Sequence, residues 1–288
     1  MIVLLASSED AASVNIRSRL LEEAEWESAE SLEGNEAYMR DGLLLLQKEG
    51  THLYMENVDR QIADHINENG LGNPDGGSGY PLELLVFLSR HRSEKDIRSL
   101  TVHPPGNYQQ ADFGGAPKKL PPSAPFEMTA ALLSLYKEKK KLGIQDQTTY
   151  EVTHHGPMLC SPSFFIEIGS NETRWGIEIL GRAIARALLS DSFLRPKRDL
   201  PVAIGVGGGH YAPRFTDRAM REKFAFGHMI PDYILSGSTD LGELIRMARD
   251  NTPGSTHVFI HRSKYNREMV SGIEGMLSQL KLELANPE

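Results

Sequence analysis

Short apolar runs recur along this chain of 288 residues, mostly three to seven residues long and bounded by Gly, Pro, Asp or Asn. Residues 2–6, 43–46, 53–55, 84–88, 100–102, 150–153, 164–168, 202–206 and 258–260 read as strands, being aliphatic, β-branched or aromatic and ending in turn chemistry. Runs without polar alternation predict strands covered on both faces, as in parallel sheets. Helices are predicted where apolar residues recur at 3.6-residue spacing: 10–23, 173–189, 241–249 and 267–284. Another begins near Phe126, with Pro125 in its first turn, Lys139–Lys141 at its negative end and Gly143 beyond. Strands alternating with helices give an α/β fold, one mixed, mostly parallel sheet with helices on both faces. No repeat or linker interrupts the pattern, so residues 1–288 are expected to form a single domain. The segments 70–80 and 104–125 are rich in Gly, Pro and polar residues and long for plain connections, a mark of functional or flexible loops.

Composition narrows the setting. Cys160 is the single cysteine, so no internal disulfide exists and a reducing compartment is expected. The N-terminus lacks a basic region, and its apolar run is too short for a signal peptide. No run approaches the ~18–20 apolar residues that span a bilayer. These features predict a soluble, cytoplasmic protein with no membrane partner. A net charge of −8 argues against non-specific coating of nucleic acid, whose affinity comes from Lys and Arg. Local basic stretches remain at 137–141, at Lys197–Arg198 and at Arg214, Arg218 and Arg221, each by default a solvated face.

The candidate chemistry lies with the histidines. His91, His103, His154, His155 and His261 follow predicted strands, and His210 follows VAIGVGGG. One imidazole at a strand end is usually a loop residue. Several in that position converge on one sheet edge if the strands are parallel, since ligands bind beyond the carboxyl ends. Such a cluster points to acid–base work or metal binding. In THHGP (153–157), strand alternation would send His154 and His155 to opposite faces unless the strand has already ended. Gly207, Gly208 and Gly209 allow close backbone approach to a ligand, with His210, Tyr211 and Arg214 next to them. This is neither a dinucleotide fingerprint nor a phosphate loop of the Walker type. HPPGN places Asn107 in a rigid turn, and GHMIPD places His228 near an acid. Glu167 lies within an apolar strand, so it partners a histidine or metal unless the strand is half exposed. No G-x-S-x-G elbow, H-E-x-x-H helix or C-x-x-C pair occurs, and Cys160 reads as an inert thiol.

THHGP, the EIGS…W stretch from Glu167 to Trp175, GGGHYAPR at Gly207–Arg214 and GH at Gly227–His228 together resemble the D-aminoacyl-tRNA deacylase family of archaeal and plant type. SRH at Ser89–His91, HPPGN and HRSKY at His261–Tyr265 fit as well, so the resemblance spans nearly the whole chain. It implies a phosphorylase/hydrolase-like fold, similar in core to peptidyl-tRNA hydrolase. It also implies hydrolysis of the ester of D-aminoacyl-tRNA, a zinc requirement, and the acceptor end of that tRNA as partner. Separately, the chain is read as a monomer. On this reading His154, His155 or His210 is the general base, and the amides of Gly207–Gly209 receive the oxyanion. Zinc would be held by ligands from among His103, His154, His155, His210 and Glu167, leaving a position open. Arg214 would hold phosphate, Tyr211 would stack on the terminal adenine, and Asn107 and His228 would contact substrate. A backbone wall at Gly156 and Pro157 would reject L-aminoacyl esters. The rivals are a zinc-dependent amidohydrolase or peptidase, or a nucleoside phosphorylase, acting on a small molecule, and a non-catalytic RNA-binding module.

Overall fold

The computed structural model describes residues 1–71, 82–93, 95–221, 223–236, 240–261 and 275–285. The strands are β1 (Ile2–Ser7), β2 (Glu27–Leu32), β3 (Asn35–Arg40), β4 (Leu43–Lys48), β5 (Leu84–Arg92), β6 (Ser99–His103), β7 (Gln147–Tyr150), β8 (Ser163–Ser170), β9 (Val202–Val206), β10 (Ala225–Ile230), β11 (Ser255–Ile260) and β12 (Glu283–Leu284). The helices are α1 (Ala11–Glu23), α2 (Val58–Glu68), α3 (Pro125–Lys141), α4 (Glu172–Trp175), α5 (Glu178–Leu188), α6 (Asp191–Leu194), α7 (Pro213–Met220), α8 (Asp232–Leu235) and α9 (Leu241–Asp250).

The expected α/β architecture is present, but the strands divide into two sheets. One has eight strands in the order β2-β3-β4-β1-β5-β8-β6-β7; the other has four in the order β10-β9-β11-β12. In the large sheet β4, β1, β5 and β8 run parallel, as their unbroken apolar runs predict. The β6–β8 pairing is antiparallel, so β6 and β7 point the other way. The small sheet is wholly parallel.

Both faces of the large sheet are covered. Leu4, Val86, Ile166 and Ile168 face α1, α3 and α5. Val3, Leu5, Leu46, Leu85, Phe87 and Phe165 pack with Val58, Ile62 and Ile66 of α2 on the other face. The first cluster also takes in Ala203, Phe215, Phe226 and Phe259, so apolar packing is continuous between the sheets. Asp10 caps α1, accepting from the Ala12 and Ser13 amides at 2.9 and 3.1 Å.

Several predicted elements shift. Residues 53–55 lie at a 3-10 turn, His52–Tyr54, because three apolar residues are too few to hold a strand in register. The strand predicted at 150–153 ends at Tyr150. The helix predicted over 173–189 breaks at Gly176 into α4 and α5. Of the last predicted helix, 262–274 lie outside the described residues, 275–279 are helical and Glu283–Leu284 form β12. Most of the segment 70–80 and of HRSKY also lies outside the described residues.

Candidate active site

The site forms across a sheet face, around Glu167, rather than beyond a row of carboxyl ends. On β5 the sequence Phe87, Ser89, His91 runs along one face, and on β8 Phe165, Glu167, Gly169 runs beside it. That face is therefore apolar at one end and polar two residues further on. From the opposite direction β6 places Thr101 beside Glu167 and His103 beside Phe165. Its antiparallel run carries His103 back toward the glutamate that His91 approaches from the other side.

After β7 ends, Glu151–His155 pass over this face. The Val152 amide donates to His210 O at 3.0 Å and the Ala212 amide to Tyr150 O at 2.9 Å, so residues 210–212 lie alongside 150–152. This pairing carries His210 in from the end of β9. His155 adopts a φ of 47°, a region L-residues seldom occupy, and its carbonyl accepts the Gly106 amide at 2.7 Å. Its ring lies 4.3 Å from that of His154 and 4.8 Å from that of His103, centroid to centroid.

Five imidazoles and two carboxylates meet here. Glu151 is fully buried and Glu167 nearly so. His91 Nδ1 is 3.3 Å from Glu151 Oε1 and 3.6 Å from Glu167 Oε2. His103 Nε2 is 3.6 Å from Glu167 Oε2. His210 Nε2 and His154 Nε2 are 3.1 and 3.6 Å from Glu151 Oε2. Burial lowers the basicity of His91, but Glu151 and Glu167 outweigh it and hold the ring at a pKa of about 9. Burial pushes His155 down to about 4 and His154 well below its ordinary value, each reinforced by neighbouring imidazoles. The same burial would raise both carboxylates, yet the surrounding histidines keep Glu151 and Glu167 below their usual range. The cluster thus pairs a protonated imidazole and two carboxylates with neutral rings at the mouth.

Tautomers follow from the backbone. Nδ1–H of His103, His154 and His155 donates to the carbonyls of Pro104, Val152 and Gly156 at 3.3, 2.8 and 2.9 Å. In a neutral ring so held, the lone pair sits on Nε2. One ligating atom from each of these three rings lies within 4.8 Å of the others, and the same holds for His91, Glu151 and His210 and for His103, Glu151 and Glu167. Both Glu151 oxygens, Glu167 Oε2, His103 Nε2 and His210 Nε2 are buried without a well-formed hydrogen bond. Buried lone pairs facing one another are costly without a cation. Donors ~2.0–2.2 Å from a tetrahedral zinc stand roughly 3.3–3.6 Å apart, close to the separations above. The donor set therefore fits a metal ion.

Comparison with known proteins decides the family. A family model described as D-aminoacyl-tRNA deacylase matches residues 78–285, which carry every site residue named above. The D-aminoacyl-tRNA deacylase of Methanosarcina barkeri is 35% identical over 93% of this chain and 83% of its own. That of Pyrococcus furiosus is 33% identical over 99% and 97%. The crystal structure of a conserved protein of unknown function superposes with a TM-score of 0.84 at 30% identity, covering 99% of this chain and 94% of that one. The chain belongs to the D-aminoacyl-tRNA deacylase family.

Among the residues predicted for a deacylase site, the structure brings together His103, His154, His155, His210 and Glu167. Both adjacent histidines enter the cluster because β7 stops before them. Tyr211 stands edge-on to His91 at 5.6 Å, its hydroxyl 3.5 Å from Ser99 Oγ. Arg214 is exposed in the first turn of α7. Gly207 and Gly208 do not form a free anion nest: their amides donate to Ile230 O at 2.8 Å and Asp232 Oδ1 at 3.0 Å. Gly209 follows them. Asn107 Nδ2 donates to Gly114 O at 2.9 Å, which fixes the side chain within its own loop instead of turning it toward substrate. His228 is wholly buried, with Nε2 2.8 Å from Pro121 O and Nδ1 3.1 Å from Thr153 Oγ1, so it contributes to the core beneath the site. Gly156 and the buried Pro157 adjoin the loop at 114–115: a Cβ at Gly156 would lie 2.2 Å from Gly115 N. Sequence reasoning counted His91 among the converging imidazoles without giving it a role, and left Glu151 out of the site. The signals for them were SRH at a strand end and an acid three residues before His154.

Proposed function

We propose that this cluster hydrolyses the ester joining a D-amino acid to the terminal ribose of tRNA, with His154 and His155 as the proton acceptors. The observation that carries this reading is the pair of neutral imidazoles at the mouth, backed by buried carboxylates, in a chain of this family. Their Nδ1–H groups are held by backbone carbonyls, which leaves the bare Nε2 atoms suited to take a proton from water. Glu151, 3.6 Å from His154 Nε2, would stabilise the imidazolium as it forms. His91, protonated and sandwiched by Glu151 and Glu167, keeps both carboxylates ionised and fixed. His210 shares Glu151 with His154 and faces solvent more openly.

His103, Glu151 and Glu167, each offering a donor atom within 4.8 Å of the others, would hold zinc and leave the Nε2 lone pairs of His154 and His155 for the proton. Zinc bound there supplies Lewis acidity toward water or an ester carbonyl. Tyr211 and Arg214 lie at the rim, where a base and a phosphate of the acceptor end would rest. Rejection of L-esters is assigned to the tight backbone at Gly114, Gly115 and Gly156, where chirality is read by shape. Among the described residues no helix is long and apolar enough to cross a membrane. We place the reaction in the cytoplasm, with its tRNA substrate.

The test is ester loss from matched D- and L-aminoacyl-tRNA, with and without a chelator. Rapid loss of the D ester alone is expected, abolished by chelation and restored by zinc. No D-selective loss with zinc-loaded protein would overturn the reading and favour a small-molecule hydrolase. Equal turnover after complete metal removal would overturn the zinc assignment.

A further inference from the structure

Two large aromatic side chains stand exposed on segments that adjoin the loop carrying His155. Tyr54 closes the 3-10 turn His52–Tyr54, and Phe113 lies in the long loop after β6; each is 62% exposed. Fifty-nine residues apart in sequence, their segments nest together. A Cβ added at Gly114 would lie 1.7 Å from Leu53 O and 3.4 Å from Tyr54 Cδ1. The Phe113 carbonyl accepts the amide of Gly156, the residue after His155, at 2.9 Å. Glu56 ties the three segments together, accepting from the Gly115 amide at 2.6 Å and the Met158 amide at 2.7 Å. The rings are thus carried on a fixed backbone adjoining the site. Among the described residues neither of them stacks on another ring.

We propose that Tyr54 and Phe113 form a stacking platform for unpaired bases at the 3′ end of the tRNA, seating the esterified ribose at His154 and His155. This rests on the deacylase reading. A chain of net charge −8 has little general attraction for phosphate, so holding a single-stranded end falls to contacts that phosphate repulsion does not weaken. Stacking of bases on aromatic rings is such a contact, and it tolerates any base. Glu56 acts on substrate only through the loops it holds and is a positioning residue.

The experiment is steady-state hydrolysis of D-aminoacyl-tRNA by the wild type, Tyr54→Ala, Phe113→Ala and the double variant, beside the ring-preserving Tyr54→Phe and Phe113→Tyr. The trinucleotide CCA serves as an inhibitor in parallel. Each alanine should raise KM about tenfold with a smaller change in kcat, the ring-preserving variants should keep KM near wild type, and CCA should lose potency in step. An unchanged KM in a double alanine variant with wild-type melting temperature would overturn the platform. So would equal losses in the ring-preserving variants, which would mark a packing role, and so would failure of millimolar CCA to inhibit the wild type. Wild-type protein without turnover of the D ester would remove the deacylase reading itself, whereas turnover indifferent to both rings would remove only the platform.

Discussion

His155 at the mouth and His228 in the core have the same depressed basicity, yet their surroundings separate their roles. Burial takes each down to a pKa of about 4. His228 has both nitrogens engaged: Nε2–H donates to Pro121 O, and Nδ1 accepts from the Thr153 hydroxyl, which itself accepts the Met229 amide at 2.9 Å. Every hydrogen in that chain has a fixed direction. His155 has Nδ1 engaged with Gly156 O, while Nε2 has no hydrogen bond among the described residues. A shifted pKa therefore does not mark a functional imidazole here. The bare ring nitrogen, facing the other rings of the cluster, is what sets His155 apart.

The sharpest way to break this contrast is to alter the charge the mouth is built around. Glu151→Gln keeps the shape and removes the carboxylate that His91, His154 and His210 share. Turnover of D-aminoacyl-tRNA should fall roughly a thousandfold. Bound zinc, read by elemental analysis, should fall with it. A variant with wild-type turnover and metal content would remove Glu151 from the site. A smaller change follows at His155→Ala, where kcat should drop at least about a hundredfold. Its melting temperature should hold or rise, because removing a half-buried ring with an unmet nitrogen relieves the fold, the usual exchange between stability and activity. A clear loss of stability with activity intact would place His155 with His228 instead.

Legibility from the sequence follows the same division between local and distant causes. Strands β1, β5, β8 and β9 announced themselves because burial on both faces demands unbroken apolar runs. The pair β2 and β3 did not: ESAESL is the edge strand and NEAYMR its half-exposed neighbour, where polar residues are allowed and no strict period is imposed. In β10, AFGHMI was read through its glycine and histidine as a site motif, although both are core residues. Helix α2 shows just Val58, Ile62, Ala63 and Ile66 as its stripe, and the turn before it carried the stronger apolar run. The histidine cluster was visible as a tendency of imidazoles to follow strands. Its arrangement was not, because it depends on β6 running against β8 and on residues 210–212 pairing with 150–152. Neither relation leaves a local mark, so Glu151 stayed hidden among ordinary acids and Asn107 looked freer than its bond to Gly114 leaves it.

The smallest effect tests the core side of the comparison through pH. His228 binds a proton at about 4 when folded and near 6.5 when unfolded. Between those values the unfolded chain holds more protons, so stability is complete above pH 6.5 and declines as pH falls toward 4. One such group contributes a slope of up to about 1.4 kcal/mol per pH unit, and about 2 kcal/mol between pH 7 and pH 5. His52 and the mouth histidines act in the same direction, so the total slope alone cannot be assigned. The difference between wild type and His228→Asn isolates it. The variant should be less stable at pH 7, because the Pro121 carbonyl loses its donor, and should close that gap as the pH is lowered to 5. Denaturant unfolding at the two pH values reads both quantities. A gap that stays constant would mean that His228 titrates alike in both states, and the engaged nitrogens would then no longer explain what keeps it neutral in the core.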